Sequence, residues 1–464
     1  LMYMDAGWKD AFKYATHLAD SLGMEMAVAS APGWSSTGGP WVKPENAMKK
    51  LTWREMIIKG GAKVSVKLPD AWETSGFFQN VPPTENSSTF ATSSVDDKYY
   101  KDIAVVAVRL NNGEKTMAEM KAKVTSSGGQ FTVEQLTDGN LAKAVLLPSD
   151  EENGHAWIQY EFDSPRTIKA IAVVDGNVRN EWACAPADIT KHLEVSDDGK
   201  VFKRICDIPH GGASCQTVDI PATKAKFFRI IFENPVIKDL FAELNDIKKV
   251  NGTLVSELIL YPVSKINHAE EKAGFATPHD MMDNITPEET NISLLTDVLD
   301  VTDKVDAQGK LTWNAPQGKW KIYRFGYSLT GKKNHPAPPE ATGLEVDKLD
   351  ADAVKDYMEI YLKMYQDASG GLMGKRGLQY LLIDSYEAGW STWTAKMLQE
   401  FEQRRGYSLQ KWLPVLTGQI IESTEKSEKF LWDWRKTIGE LIAENLYAQV
   451  EKVVKQHGMD CYFE

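Results

Sequence analysis

The sequence predicts an α/β chain with an all-β part: a (β/α)8 barrel of the TIM type, incomplete here, interrupted by a β-sandwich. In the first 60 residues and again after residue 312, helices alternate with short apolar strands, which is typical of a β/α barrel. Between these two parts, short segments alternate apolar and polar residues and are separated by turn dipeptides, which indicates a sandwich. We therefore divide the chain into a first barrel part (1–60), an inserted β-sandwich region (61–312) and a second barrel part (313–464).

The first barrel part opens with a predicted helix over residues 8–22, whose apolar residues follow helical spacing and which ends at Gly23. Residues 24–30 are a short, largely apolar strand of the kind that is buried in a parallel sheet. A loop rich in glycine, serine and tryptophan follows at residues 32–41, and Pro44 is expected to open the next helix. This succession predicts one unit of a barrel.

The middle region contains segments with a period of two, for example residues 103–109, 156–162 and 168–174. The dipeptides Asn112-Gly113, Asp138-Gly139 and Asp198-Gly199 are strong turn signals. In the second barrel part, a strand near residues 320–327 precedes a helix, a buried strand, two helices and a last strand. The predicted ranges of these later elements are 348–364, 378–383, 394–405, 429–457 and 459–463. About four of the eight strands that close a barrel are visible.

The composition excludes several classes of function. The net charge of -12 argues against a nucleic-acid partner, whose phosphates require a basic surface. No apolar run reaches the length of a membrane span. The chain begins at Leu1 without a leader pattern, and the helix at Trp8 needs a preceding element, so we expect part of a longer protein.

The cysteines leave the redox compartment open. The chain has four cysteines, Cys184, Cys206, Cys215 and Cys461, and no two of them form a Cys-x-x-Cys motif. A zinc or thioredoxin-type site therefore has no support. Cys206 and Cys215 are close enough in sequence to bridge a hairpin, and free thiols are an equal alternative. The chain also lacks the Gly-x-Ser-x-Gly motif of serine hydrolases.

Candidate catalytic carboxylates follow two predicted barrel strands. Asp384 ends the strand 378–383, and Glu387 and Trp390 follow it. Barrel enzymes place their catalytic groups at the carboxyl ends of strands, and a carboxyl beside aromatic rings suits protonation of a glycosidic oxygen. The alternative is that Asp384 caps the next segment and Glu387 is solvated.

Glu464 ends the strand 459–463 in a comparable place. A pair of carboxylates flanking the scissile bond is the usual equipment for glycoside hydrolysis. The alternative is a glutamate that happens to end the chain. Trp34 and Trp41, in the loop after the first strand, suit a pocket wall for a sugar ring, and equally suit a seal at the barrel rim.

A fourth polar stretch, residues 330–348, contains several prolines and offers His335, Glu345 and Asp347 as candidate substrate-binding groups. Its place after a predicted strand puts it on the expected site edge of the barrel. The alternative for His335 is a purely structural role.

Five stretches with recognisable motifs occur in one order along the chain. They are residues 31–35 (Ala-Pro-Gly-Trp-Ser), 38–41 (Gly-Gly-Pro-Trp), 343–348 (Gly-Leu-Glu-Val-Asp-Lys), 384–387 (Asp-Ser-Tyr-Glu) and 401–409 (Phe-Glu-Gln-Arg-Arg-Gly-Tyr-Ser-Leu). Together they resemble glycoside hydrolase family 106, the α-L-rhamnosidases, through nearly the whole chain. The resemblance implies a (β/α)8 catalytic barrel with inserted or appended β-sandwiches. Residues 127–263 resemble a discoidin-like, galactose-binding-type sandwich.

The resemblance also implies a function: release of terminal α-L-rhamnose from a plant polysaccharide such as pectin, with inversion, a bound calcium ion and a periplasmic, secreted or cell-surface location. Glu387 matches the general acid, Glu464 matches a later glutamate of the site, and the general base is expected beyond residue 464. Trp34, Trp41, His335, Glu345, Asp347, Asp384 and Trp390 are the expected substrate-binding residues, and the calcium ligands stay unassigned. The alternatives are a non-catalytic carbohydrate-binding or scaffold protein, and a retaining, β-galactosidase-like barrel glycosidase.

Overall fold

The structure is a computed structural model of the chain and describes residues 2–81, 98–111, 113–150, 154–175, 191–208, 215–233, 252–276 and 284–464. In chain order the strands are β1 (Met26–Ala29), β2 (Lys49–Lys59), β3 (Lys63–Lys67), β4 (Tyr100–Leu110), β5 (Lys123–Ser126), β6 (Val145–Pro148), β7 (His155–Asp175), β8 (Lys191–Ser196), β9 (Lys203–Ile208), β10 (Cys215–Glu233), β11 (Gly252–Tyr261), β12 (Val298–Asp300), β13 (Lys310–Asn314), β14 (Lys319–Leu329), β15 (Leu378–Ile383) and β16 (Asp460–Phe463). The α-helices are α1 (Ala6–Ser21), α2 (Met117–Met120), α3 (Ala269–Lys272), α4 (Ala351–Ala368), α5 (Met397–Arg405), α6 (Thr424–Leu441) and α7 (Gln449–Gln456), and a π-helical stretch, Ile442–Ala448, joins α6 to α7.

Strands β1, β15 and β16 form a parallel sheet with β15 in the middle. Ala29 pairs with Leu382, and Ile383 pairs with Phe463, so the carboxyl ends of the three strands lie side by side. Side chains of α4, β15 and α7 share one apolar core. The predicted alternation of helices with parallel strands is confirmed here, but β15 is more buried than β1 and β16, which keep part of their surface exposed. The closed eight-stranded barrel stays a prediction.

Helix α4 fixes the end of β1. Its N-terminus is capped by Asp350, whose carboxylate accepts a hydrogen bond from the Asp352 amide. On its buried face, the Tyr357 hydroxyl donates to the Ser30 carbonyl at 2.7 Å, and the Tyr361 hydroxyl donates to the Ala29 carbonyl at 2.8 Å. These two bonds satisfy buried carbonyl groups where β1 ends, so the following loop starts from a fixed point.

The prediction of a helix after Pro44 is wrong. Pro44–Asn46 is a single 3₁₀ turn, and Lys49–Lys59 is a strand that pairs antiparallel with β14 along its whole length. A proline suits the first turn of either kind of helix. The pairing partner lies about 270 residues further along the chain, and a local pattern does not report such a contact.

Strand β14, predicted as a barrel strand, is instead a central strand of an antiparallel sheet of order β12-β4-β14-β2. This sheet takes β2 from the first predicted segment, β4 and β12 from the second, and β14 from the third. It therefore fastens the three segments to one another. The boundaries at residues 60 and 312 stay predictions.

The middle region is rich in antiparallel strands, as the alternation predicts. Its sheet has the order β6-β11-β7-β10-β8-β9, with β5 also paired to β7. The predicted segments 156–162 and 168–174 belong to one strand, β7, whose exposed centre separates two buried halves. The predicted turns at Gly139 and Gly199 have left-handed φ angles of 69° and 72°. The discoidin-like assignment of residues 127–263 stays a prediction.

Cys206, Cys215 and Cys461 are free thiols, so the hairpin bridge left open by the sequence is absent. Cys184 and Asn112 lie outside the described residues. Among the helices that the structure describes, none is long and apolar enough to cross a membrane.

Candidate functional site

The candidate site lies at the carboxyl edge of the parallel sheet. The ladder continues one residue beyond each strand: the Ser30 amide donates to the Leu382 carbonyl at 2.8 Å, and the Glu464 amide donates to the Ile383 carbonyl at 3.1 Å. The loop after β1, the loop after β15 and Glu464 therefore start from adjacent points. Three stretches that the sequence singled out separately meet at one edge.

Asp384 and Glu464 form a carboxyl pair at this edge. Their side chains are in hydrogen-bonding contact, and that bond, together with the negative charge of Asp384, raises the pKa of Glu464. Asp384 Oδ1 also accepts a hydrogen bond from the amide of the next residue, Ser385, at 2.8 Å. Two carboxyls in contact disfavour the ionised form of Glu464.

Glu387 lies close enough to this pair for both charges to affect its pKa. Burial, then the charge of Asp384, and more weakly the charge of Glu464, raise the pKa of Glu387, while Lys332 acts in the opposite direction. Its Oε2 atom is buried and accepts no hydrogen bond from any residue the structure describes. A raised pKa extends the pH range over which a carboxyl keeps a proton that it can donate.

The loop that carries Glu387 is tied to strand β2. The Thr392 amide and the Ser391 hydroxyl both donate to the Lys49 carbonyl, at 3.2 and 3.1 Å, and the Leu51 amide donates to Thr392 Oγ1 at 2.9 Å. Beyond them, Trp393 is buried in the core. The loop is therefore held at both of its ends, by β15 and by β2.

Asp347 lies beneath this loop. Its Oδ2 atom accepts from Lys49 Nζ at 3.0 Å and from Thr394 Oγ1 at 2.9 Å, and its own side chain and that of Lys49 are almost completely buried. Burial raises the pKa of Asp347, and the Lys49 charge opposes that shift. Asp347 thus holds the Glu387 loop against β2, and its contact with a sugar stays a prediction.

Glu345 has a similar role for the loop after β1. Its Oε2 atom accepts from Lys348 Nζ at 2.6 Å and from the hydroxyl of Thr37. Lys348 also donates to Thr37 Oγ1 at 3.0 Å, and its ammonium lies 5.5 Å from the centre of the Tyr386 ring. Both charged side chains are fully buried, and the sugar contact of Glu345 stays a prediction. The pair joins the loop after β1 to the residue before Glu387.

His335 joins the same loop to the polar stretch 330–348. The His335 amide donates to Ser35 Oγ at 2.9 Å, and the Trp34 amide donates to the His335 carbonyl at 3.1 Å. A Cβ atom added at Gly33 would lie 2.5 Å from the Pro336 carbonyl oxygen. The loop after β1 can therefore approach the backbone of Pro336 this closely only with glycine at position 33. Burial lowers the pKa of His335, which favours the neutral ring.

The three predicted tryptophans have different surroundings. Trp34 is 53% exposed beside His335. Trp41 stacks on Tyr357 and lies against Tyr361, with ring centres 6.2 and 6.1 Å apart, which agrees with the alternative of a rim seal. Trp390 is half-buried and meets Phe77 edge-to-face at 5.5 Å.

Comparison with known proteins identifies the family of the chain. The chain matches, over residues 1–464, the model of the family described as alpha-L-rhamnosidase, glycoside hydrolase family 106. The chain belongs to this family. The membership predicted from the five motifs is confirmed.

Two relatives show how much of a family member the chain represents. A solved rhamnosidase from Novosphingobium sp. PP1Y is 34% identical and superposes with a TM-score of 0.86, over 100% of this chain and 41% of that protein. A protein of Formosa agariphila named "Putative beta-glucuronidase" is 27% identical over 98% of this chain and 25% of its own length. The chain thus spans less than half of either relative, and it shares the fold of the rhamnosidase over that span.

The resemblance also implies a calcium ion, which prefers six to eight oxygen ligands from carboxylates, carbonyl groups and water. In the part of the chain that the structure describes, no group of three or more His, Cys, Asp or Glu side chains is placed to hold a metal ion. Calcium stays a prediction.

Sequence reasoning missed several residues that shape the site of this family member. Lys49 and Lys348 neutralise buried carboxylates, although lysines in such patterns are normally read as solvent-exposed. Phe77 was assigned to the inserted region and lies against Trp390. The signal available in the sequence was the pair of adjacent lysines, Lys49 and Lys50, just before an apolar segment, which could have indicated lysines that neutralise buried carboxylates.

Proposed function

We propose that the full-length protein is a glycoside hydrolase that releases terminal α-L-rhamnose from a pectin-type plant cell-wall polysaccharide by an inverting acid/base mechanism. Membership of the α-L-rhamnosidase family supports a glycoside hydrolase with a carbohydrate substrate. Glu387 is the proposed general acid. The proposal rests above all on the surroundings of this one carboxyl group.

Glu387 suits the role because its pKa is raised. A general acid must carry its proton when the glycosidic bond breaks, and a carboxyl group does so near neutral pH only if its pKa is raised. Burial and the two neighbouring carboxyls raise the pKa of Glu387. Its proton passes to the glycosidic oxygen as the bond to the anomeric carbon breaks, while a second carboxylate takes a proton from the water that attacks the anomeric carbon from the opposite face.

The identity of the general base is the open part of the proposal. An inverting enzyme separates its two carboxyls by about 6.5–9.5 Å to admit a water, and a retaining enzyme by about 5–5.5 Å. Glu464 is a candidate within the described residues, since its charge reaches Glu387. The resemblance favours a base further along the chain, with Glu464 and Asp384 binding sugar hydroxyls.

The deciding experiment compares Glu387→Gln with wild type in the full-length protein on two substrates. One is a rhamnosyl disaccharide with a poor leaving group, and the other is 4-nitrophenyl α-L-rhamnoside, whose leaving group needs little protonation. Loss of a general acid lowers kcat/KM by about 10²–10⁴-fold on the disaccharide and by clearly less on the aryl substrate. Glu451→Gln, on the outer face of α7 with its side chain 46% exposed, is the matched control and should change neither.

Equal activity of Glu387→Gln and wild type on both substrates would contradict the acid assignment. Binding without hydrolysis by the wild type would favour a non-catalytic carbohydrate-binding protein. NMR of the first-formed sugar anomer distinguishes inversion from retention, and 4-nitrophenyl β-D-glucuronide tests the activity named for the Formosa relative.

Two further expectations rest on the resemblance alone. We propose a periplasmic, secreted or cell-surface location, which matches a polysaccharide substrate. We also propose that calcium supports activity. Chelation with EDTA followed by readdition of Ca²⁺ tests the second point, and unchanged activity and melting temperature after chelation would contradict it.

A further inference from the structure

We infer that Phe77 and Trp390 form an aromatic platform that binds the sugar on the leaving-group side of the scissile bond. This inference rests on the proposed function, because it takes Glu387 as the general acid. It adds a binding site to a segment, residues 72–81, that the sequence assigned to the inserted region.

The two rings meet in an edge-to-face arrangement and keep part of their surface open. Their centres are 5.5 Å apart, with the ring planes at 85°. Both side chains are only half-buried. Exposed aromatic surface beside polar groups is the usual platform for the apolar face of a sugar ring.

The neighbouring phenylalanine shows that this exposure is specific to Phe77. Phe78 is buried in the core, where it meets Trp53 and Phe275 with ring centres 5.8 and 5.3 Å apart. Phe78 thus anchors the segment in the core. Phe77 is left free to contribute its ring to the rim beside Trp390.

The segment around Phe77 is fastened to the antiparallel sheet and so presents a rigid surface. The Gly76 amide donates to the Thr330 carbonyl at 3.0 Å, and Lys50 Nζ donates to the Gln79 carbonyl at 2.6 Å. The Gln79 side chain in turn accepts from the Trp53 amide at 3.2 Å. A platform held in this way loses little conformational entropy when a sugar binds.

The order of groups along one loop supports a platform on the leaving-group side. Asp384 stands at the strand end beside Glu464, Glu387 follows three residues later, and Trp390 another three residues later. The acid proton is delivered to the oxygen between two sugars. Carboxyls suit the hydroxyl groups of the sugar that is released, so the aromatic end of the loop is left for the sugar that departs with the oxygen.

The test uses the full-length protein and two substrates that differ only in the leaving side. A rhamnosyl disaccharide has a sugar there, and α-L-rhamnosyl fluoride has none. Phe77→Leu and Trp390→Leu should lower kcat/KM at least fivefold on the disaccharide, chiefly by raising KM, and should change it less than twofold on the fluoride. Phe77→Tyr, which keeps an aromatic ring, should retain most of the disaccharide activity.

The control is Trp432→Leu, an aromatic side chain that is 54% exposed on α6; both substrates should be unaffected, and melting temperatures verify folding of every variant. Equal losses of Phe77→Leu on both substrates would show a structural role and overturn the inference, as would unchanged activity on both. Failure of the proposed function itself gives a different result, namely a Glu387→Gln variant with unchanged activity.

Discussion

Asp384 and Glu464 share a hydrogen bond between their carboxyl groups, although 80 residues separate them in sequence. The contact follows from the pairing of β15 with β16, which aligns Ile383 with Phe463. Two acidic groups so close repel each other when both are ionised. Their main consequence for the site is the field that they place on Glu387.

Removal of one of these charges should shift the pH dependence of activity. The charge of Asp384 raises the pKa of Glu387, so Asp384→Asn should lower that pKa. The general acid then loses its proton at lower pH, and the alkaline limb of the kcat/KM profile of the full-length protein should move to lower pH. Asp303→Asn, whose side chain is 72% exposed, is the matched control and should leave the profile in place. An unmoved alkaline limb in Asp384→Asn would mean that another group controls it.

The buried pair of Lys49 and Asp347 should be costly to break from one side. Lys49→Met leaves the buried Asp347 carboxylate without its cation, and the free energy of unfolding should fall by about 3–5 kcal/mol. The double variant Lys49→Met/Asp347→Asn removes both charges, and its free energy of unfolding should fall clearly less. Urea unfolding of wild type, the single variant and the double variant measures these differences.

An exposed pair provides the contrast to this buried one. Lys363 and Asp367 on α4 form an ion pair with side chains 64% and 59% exposed. Lys363→Met should change the free energy of unfolding by less than about 1 kcal/mol. Losses of equal size at the two pairs would contradict the assigned role of Lys49.

Glu257 should make stability fall as the pH rises. Burial, followed by the charge of Glu55, raises the pKa of Glu257 from 4.5 to about 8. Between these two values the unfolded state has released a proton that the folded state retains, so the folded state loses stability by at most about 1.4 kcal/mol per pH unit. Glu257→Gln mimics the protonated form and should become increasingly more stable than wild type from pH 5 to pH 8. Parallel stability curves in urea unfolding would contradict this prediction.

Two glycine-to-alanine substitutions should act in opposite directions. A Cβ atom at Gly343 would lie 2.1 Å from the backbone of Gly39. Because a backbone segment would have to move to relieve this clash, Gly343→Ala should lower the melting temperature and impair the site loops. Gly439 lies in α6 with no atom within 4 Å of the added Cβ. Gly439→Ala should stabilise the fold by up to about 1 kcal/mol because alanine favours helix. Thermal unfolding compares the two, and a stabilised Gly343→Ala variant would show that the loops are not in close contact.

The local pattern of the sequence was sufficient for the elements whose signal is local. The apolar run 378–383 coincides with strand β15, and the helix predicted over residues 8–22 is Ala6–Ser21. The five motifs were sufficient for the family. Each of these signals is a matter of residues within a few positions of each other, and such patterns survive in the sequence as periodicity and capping.

Other features depend on contacts between distant parts of the chain. Whether Lys49–Lys59 is a helix or a strand was decided by its ladder with β14, and the fate of Glu345 and Asp347 was decided by the lysines that reach them in the buried interior. Burial and partners are properties of the packed molecule. The sequence by itself therefore determined the acidic and aromatic inventory at the strand ends and the family to which the chain belongs. Only the tertiary structure decided which carboxyls stay near Glu387 and which are neutralised beneath it, because the energy of a charge depends on its neighbours and its access to water.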